Sequence, residues 1–529
     1  MPSVVPAAAE APYVLALDLG TSSFRALVYD ARVRALEGSE QQLTYPIETT
    51  ADGGAQVDAG KLVDLTVECI DGVLAAIGPE VARRIAAVGT TSFWHSLLGL
   101  DSDGEPVTPV LIWADSRSGR QVDELRHELD AERVHQETGT FLHSSYWPAK
   151  LRWVRAERPE WWGRVRHWCS FTDYLFARLT GDGRTSISMA SGTGLLAVHD
   201  NRWHAGMAAV AGIDVDALPK LTDRDEPLRP PREEWARRWP ALADIPWFPA
   251  IGDGAAANVG SFAARPGRLA LTLGTSGALR MIARTDRAKV PKGLWAYRLD
   301  RDRYVLGGAL SNGGNATHWM MDRLGAGYES EELRAACAMP PDSHGLTMLP
   351  FLAGERSPTW NDHARGTVVG LRLATTKADL LRATMESVVY RFGLIADRLI
   401  PMVGEAPMVI ANGGAVLRSE PWLQMTADIL GEPVIALPAE DEASAAGAAI
   451  VALAGAGLLA DIEDAPDWAT GEYTRRFDPE PEHHRIYRAA SERQRQLERR
   501  LFTDGDPWDA AGDTAGDVAG DAGDVATRP

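Results

Sequence analysis

The sequence predicts an α/β protein of two similar domains around a central cleft, and three observations carry that prediction. The stretch YVLALDLGTSSFRALVYD (Tyr13–Asp30) sets two apolar strands on either side of LGTS, and RLALTLGTSGALRMI repeats the arrangement with LGTS at Leu273–Ser276. A chain of 529 residues suits two domains at roughly 100–250 residues each. Strand-like and helix-like stretches alternate through both halves, as layered α/β folds require.

Residues 1–11 read as a flexible leader. YVLAL and FRALVY, rich in β-formers around a tight polar turn, read as a hairpin. A helical stretch follows from Asp58 to Ile77, then the strand IAAVGTTS. The small-residue segment IGDGAAANVGSF (Ile251–Phe262) marks the junction, giving domains of 12–262 and 263–502. Beyond it LALTL, ALRMI and RYVLGG are strands. Ala378–Ile400 places Leu381, Met385, Val388, Phe392, Ile395 and Leu399 at steps of four and three, the mark of an amphipathic helix. PMVIANGG then SEPWLQMTADIL is strand, double glycine, helix, and EASAAGAAIVALAGAG is a small-residue helix suited to close packing on a neighbour.

Composition excludes several classes. The net charge is −19, from 54 basic and 73 acidic residues, which argues against nucleic acid and anionic membrane surfaces. Part of the excess lies in residues 503–529, a Gly/Ala/Asp tail with seven Asp that buries no core and is expected to be disordered. Cys69, Cys169 and Cys337 are too few and too far apart for a disulfide framework or a zinc site, and read as buried free thiols. The start lacks a signal-peptide pattern, and no run of 18 apolar residues occurs, so a cytoplasmic protein is expected. The sequence does not fix the oligomeric state; a homodimer is compatible with it.

A Gly-Thr-Ser turn between strands offers backbone N–H groups and hydroxyls to an oxyanion, phosphate above all. One such turn is also an ordinary hairpin bend; two copies, one per half, favour phosphate. Gly20, Thr21 and Ser22 are the candidates in the first turn, Gly274 and Thr275 in the second. Asp18 leads the first turn, and a carboxylate beside phosphate needs a cation between them, so Mg²⁺ is implied. Arg25 is a candidate phosphate partner or a solvated strand arginine. No GxxxxGK[ST] loop and no protein-kinase signature occurs. Glycine pairs in SNGGNATHW (Gly313, Gly314) and ANGGAVLRSEPW (Gly413, Gly414) leave room for a flat base or a ribose phosphate against backbone. Asp253, between glycines at the junction, is suited to take a proton from a hydroxyl during phosphoryl transfer, or is a turn Asp. Trp94, His95, Trp113, Asp115 and Arg117 form an aromatic and polar set of the kind that binds sugars; His143 and Lys150 add cationic groups that would suit an acidic sugar.

The order of DLGTSS, WADSR, GDGAAANVG, LGTSG, GERSPTWNDHARGTVVGL and NGG with the downstream W.Q..AD resembles the FGGY carbohydrate kinases, from about Tyr13 to about Leu459. The resemblance implies two actin-like (ribonuclease-H-like) domains around a central cleft, the first binding sugar and the second nucleotide, with ATP and Mg²⁺ as cofactors. By it Asp253 matches the general base and Asp18 the residue near Mg²⁺. Thr21, Gly274 and Thr275 match phosphate-contacting turns, Gly314, Gly414 and Arg418 the adenosine end, and Trp94, His95, Trp113 and Asp115 the sugar pocket. FWHSLLGLD, SMASGTGLL, GTSGALR, SNGG and LPFLAGERSPTW look most like gluconokinases. Trp94 is bulkier than the pattern leads one to expect, and IGDGAA replaces a longer segment. The implied reaction is ATP-dependent phosphorylation of a terminal hydroxyl of a sugar acid, D-gluconate to 6-phosphogluconate. The alternatives are a kinase of xylulose, another pentulose or a polyol, and, more remotely, an actin- or chaperone-like ATPase that binds protein.

Overall fold

The computed structural model describes residues 3–361, 363–437, 442–471 and 474–502; the acidic tail, 503–529, lies outside the described residues. Each half is built on a seven-stranded sheet, and a hairpin with LGTS at its bend forms the middle of each. In the first, Tyr13–Leu19 pairs antiparallel with Ser23–Tyr29 and parallel with Ile85–Ser92, which pairs parallel with Ile251–Gly252. In the second, Arg268–Leu273 pairs antiparallel with Gly277–Arg284 and parallel with Met408–Asn412, which pairs parallel with Val434–Ala436. The same order and sense of strands in both halves is the actin-like, ribonuclease-H-like fold. Six of the seven residues of Tyr13–Leu19 are buried, because helices cover both faces of a parallel-type sheet. The exception is Asp18, at the bend.

The first residues depart from the expected flexible leader. Ser3–Val4 adds an edge strand, pairing parallel with Ala35–Leu36, and Glu37 N–H donates to Val4 O. The expected helix after Asp58 runs Ala59–Ala82, with the Asp58 carboxylate capping Lys61 N–H; Gly78 (φ 71°) and Pro79 bend its last turns.

Two short helices tie the halves together. Asp253–Gly260 continues from the last strand of the first sheet, and Ala443–Gly455 follows the strand Val434–Ala436 of the second sheet. They pack on each other, and Ala443–Gly455 also lies on Tyr13–Leu19 and Ile85–Ser92 of the first half. Its Ala445–Leu453 face is buried in the first half's core. Small residues make this approach feasible. A Cβ on Gly447 would stand 1.9 Å from Ala256 O, and one on Gly260 would stand 1.8 Å from Ala443 O. The sheets therefore divide near the junction, while a helix of the second half completes the core of the first.

Among the described residues, no helix is long and apolar enough to cross a membrane. The three cysteines are unpaired; Cys69 and Cys169 are buried and Cys337 is half-buried.

Candidate active site

The helix Asp253–Gly260 presents its first residue to a cavity of about 300 Å³ between the halves. Thr21 of the first bend and Ser276 and Gly277 of the second both line it. The Asp253 carboxylate accepts from Gly254 N–H at 2.8 Å, and an acid in a helix's first turn is favoured by the helix dipole. Burial nonetheless raises its pKa, while the Gly254 N–H and the Arg280 guanidinium pull it back down. Asp18 is pushed to about 7, first by burial and then by the charge of Asp253, with Arg25 opposing.

Two carboxylates whose charges act on each other in a desolvated place repel, and a divalent cation offsets such repulsion. Asp18 could thus hold a magnesium ion arriving with nucleotide. A second cluster, Asp342, His344 and Glu386, also has metal-like spacing. Its charges are already met: Arg382 and Tyr390 donate to Glu386, and Arg493 to Asp342. It reads as a structural network.

Trp94 and His95 form one wall. Trp94 Nε1–H donates to Ser188 O at 3.0 Å, and its ring lies on Gly252 and Gly254 so closely that a Cβ on Gly252 would fall 1.8 Å from it. The bulky Trp94 is accommodated by those glycines. His95, at φ 69°, is lowered to about 3, chiefly by burial, so the ring is neutral. Its Nδ1 meets Gly192 O at 2.5 Å and therefore carries the proton, leaving Nε2 as an acceptor for a ligand hydroxyl. Trp113 lines the cavity at its exposed side, 41% exposed, with the Arg356 guanidinium 5.8 Å from its ring.

Several lining residues come from the second half and were not anticipated in the sequence. Trp295 and Tyr297 stack at 4.5 Å, and Tyr297 faces Trp94 at 4.8 Å. The Tyr146 and Tyr297 hydroxyls meet at 2.7 Å across the two halves. Arg280, on the second hairpin, donates to Asn258 Oδ1 at 3.1 Å and Thr272 Oγ1 at 2.9 Å, and burial lowers it to about 10. Arg356 donates to Leu310 O at 3.0 Å. The signal for Arg280 and Arg356 was present as charged residues inside the strings GTSGALR and GERSP, but only the fold turns them toward Asp253 and Trp113.

Gly274, Thr275, Gly314, Gly414 and Arg418 line a second cavity, of about 530 Å³, on the other side of the second bend. The fold brings them together by direct bonding: Gly314 N–H donates to Gly274 O at 2.8 Å and Asn315 N–H to Thr275 O at 3.1 Å. Gly413, at φ 99°, lies against Leu273, where a Cβ would come within 2.7 Å of its backbone. It permits the close approach and does not line the cavity. His318, Trp319 and Tyr328 complete the walls.

Five sequence candidates lie elsewhere. Arg25 is engaged by Glu442 and, at 3.2 Å, by Glu40, so its charge is met by carboxylates instead of being offered to phosphate. Asp115 is buried, pairs with Arg117 at 2.5 Å and accepts from Ala55 N–H, which folds the loop beneath Trp113 without lining the cavity. Gly20 and Ser22 shape the first bend: Gly20 N–H donates to Ser23 O, and Ser22 O accepts from Tyr45 N–H. Lys150 is buried, donating to His95 O at 3.0 Å and Ile112 O at 2.7 Å, and so supports the wall from behind.

One consequence concerns Arg280. A base must be ionised to accept a proton, so with Asp253 in that role turnover would fall as pH drops through its pKa. Arg280→Gln removes a charge that lowers that pKa. The acid limb of the kcat–pH profile should therefore move to higher pH, with Arg280→Lys restoring it. An unmoved limb would show that Arg280 does not act on Asp253.

Residues 13–260 match the N-terminal domain, and residues 269–456 the C-terminal domain, of the FGGY family of carbohydrate kinases. A gluconokinase from Bacillus subtilis (strain 168) is 29% identical over 473 residues, covering 87% of this chain and 91% of that protein. The crystal structure of gluconate kinase from Lactobacillus acidophilus superposes with a TM-score of 0.85 at 27% identity, covering 92% of this chain and 98% of that one. Ligand-bound xylulose kinase from the same organism gives the same TM-score, identity and coverage. With both family domains spanning most of its length in order, the chain belongs to the FGGY family of carbohydrate kinases.

Proposed function

We propose that this kinase transfers the γ-phosphoryl group of ATP to the terminal hydroxyl of a sugar acid, D-gluconate, giving 6-phosphogluconate. The observation that carries the reading is the pair of cavities meeting at the second bend, one holding Asp253 and the arginines, the other the glycine-lined walls of Gly314 and Gly414. Nucleotide in the larger cavity would direct its phosphates past Thr275 toward Asp253. Asp253 accepts the proton of the attacking hydroxyl as the loose transition state forms. His95 Nε2 and the aromatic walls orient the hydroxylated chain. Asp18 would hold the Mg²⁺ that accompanies ATP, and that ion would supply charge neutralisation on the phosphates.

The acidic substrate is supported by Arg356. Gluconate is a linear chain with the carboxylate at one end and the reacting hydroxyl at the other. A guanidinium over Trp113 matches such a carboxylate in a planar, charge-assisted contact. Neutral xylulose, ribulose, glycerol and erythritol have no anionic group for it. Turnover coupled to ADP release over gluconate and these four tests the reading. Gluconate should have the highest kcat/KM, and Arg356→Gln should raise its KM about 10- to 100-fold while leaving the neutral acceptors nearly unchanged. A neutral sugar outperforming gluconate would overturn the assignment to a sugar acid.

A further inference from the structure

The loop that carries Arg356 is held from behind by a helix beyond the matched family domains. That helix, Pro481–Phe502, follows the end of the C-terminal match at residue 456. Its Glu498 accepts from Arg391 twice, at 2.5 Å from Nη1 and 3.1 Å from Nη2, and from the Thr359 hydroxyl at 3.2 Å. Arg391 Nε in turn stands 2.8 Å from Glu355 Oε2, and both of those side chains are buried. The residues flanking Arg356–Pro358 are thus both anchored to one carboxylate: Thr359 directly, Glu355 through Arg391. Apolar contacts act with the charges, since Leu497 and Phe502 pack on Leu349, Phe351 and Ala364. On the cavity side, Ser357 N–H donates to Ala309 O at 3.0 Å, so the loop is fixed on two faces.

We propose that Glu498 is a positioning residue for the acceptor site, setting through Arg391 and Thr359 where the Arg356 guanidinium stands. Glu498 does not itself line the acceptor cavity. Removing its charge leaves Arg391 facing Glu355 alone in a buried place, and a buried network that loses one member rearranges. The rearrangement falls on the Glu355–Thr359 loop because that is where both anchors end. The proposal rests on the reading of Arg356 as the group that meets the acceptor.

A kinetic cycle on the full chain tests it, with KM measured separately for ATP and for gluconate. Glu498→Gln should raise the acceptor KM about tenfold, the scale of one charge-assisted hydrogen bond. The KM for ATP should stay within about twofold, and Glu498→Asp should recover most of the loss. Adding Glu498→Gln to Arg356→Gln should cost nothing further, because the two act through one group. Parallel rises in both KM values, or independent multiplication in the double variant, would overturn the proposal. Should Glu498→Gln fail to fold, Thr359→Val removes only the loop-side hydrogen bond. A rise in acceptor KM that disappears in the Arg356→Gln background then supports the proposal, and an unchanged KM overturns it. A preference for a neutral acceptor would defeat the sugar-acid assignment alone, while the cycle is still read on gluconate, whose carboxylate Arg356 meets.

Discussion

Asp253→Asn should lower kcat by about a hundredfold to ten-thousandfold and leave ATP binding intact. The amide keeps the size of the carboxylate and can still accept from Gly254 N–H, so the helix start is preserved. It cannot take the hydroxyl proton. Its neutrality also relieves the repulsion that pushes Asp18 up, so loss of turnover would not reflect a collapsed site. Steady-state turnover with a parallel nucleotide titration distinguishes the two quantities. Turnover within tenfold of wild type would remove Asp253 from the base role, and loss of nucleotide binding would assign it to holding the metal–nucleotide complex instead.

Gly447→Ala is expected to be severely damaging. The added Cβ would stand 1.9 Å from Ala256 O and 2.5 Å from Ala256 C, and no flexible side chain is present to yield. Overpacking against backbone costs roughly 3 kcal/mol or more. The strain reaches the chemistry as well, because the displaced helix begins at Asp253. Thermal unfolding should show a markedly lower midpoint together with reduced kcat. Gly327→Ala, where a Cβ meets nothing within 4 Å, should leave both unchanged. A Gly447→Ala protein as stable as wild type would mean that the two helices separate easily.

Much of the frame was legible because it is written in local pattern. The strands around each LGTS, the periodic helix that proves to be Lys377–Val403 and the small-residue helix Ala443–Gly455 all declare themselves within a window of a few turns. The site was legible only in part, and the gaps share a cause. Arg25 looked available for phosphate because its partner Glu442 lies 417 positions away. Asp115 looked like a ligand group, but Arg117, two residues on, satisfies it in a buried pair. Trp295, Tyr297, Arg280 and Arg356 have no motif of their own; they matter because the second sheet turns them toward the first half. The leader looked unstructured because two residues carry no periodicity, yet two suffice to extend a sheet edge.

The strand Trp295–Arg298 bears on how the enzyme can move. Ala296 N–H is bonded to Gly139 O, Arg298 Nε–H to Val198 O, and the Tyr297 hydroxyl to that of Tyr146. A wholesale swing of one lobe from the other would rupture all of these at once. The strand thus acts as a clasp between the halves, beside the cavity that Trp295 and Tyr297 line.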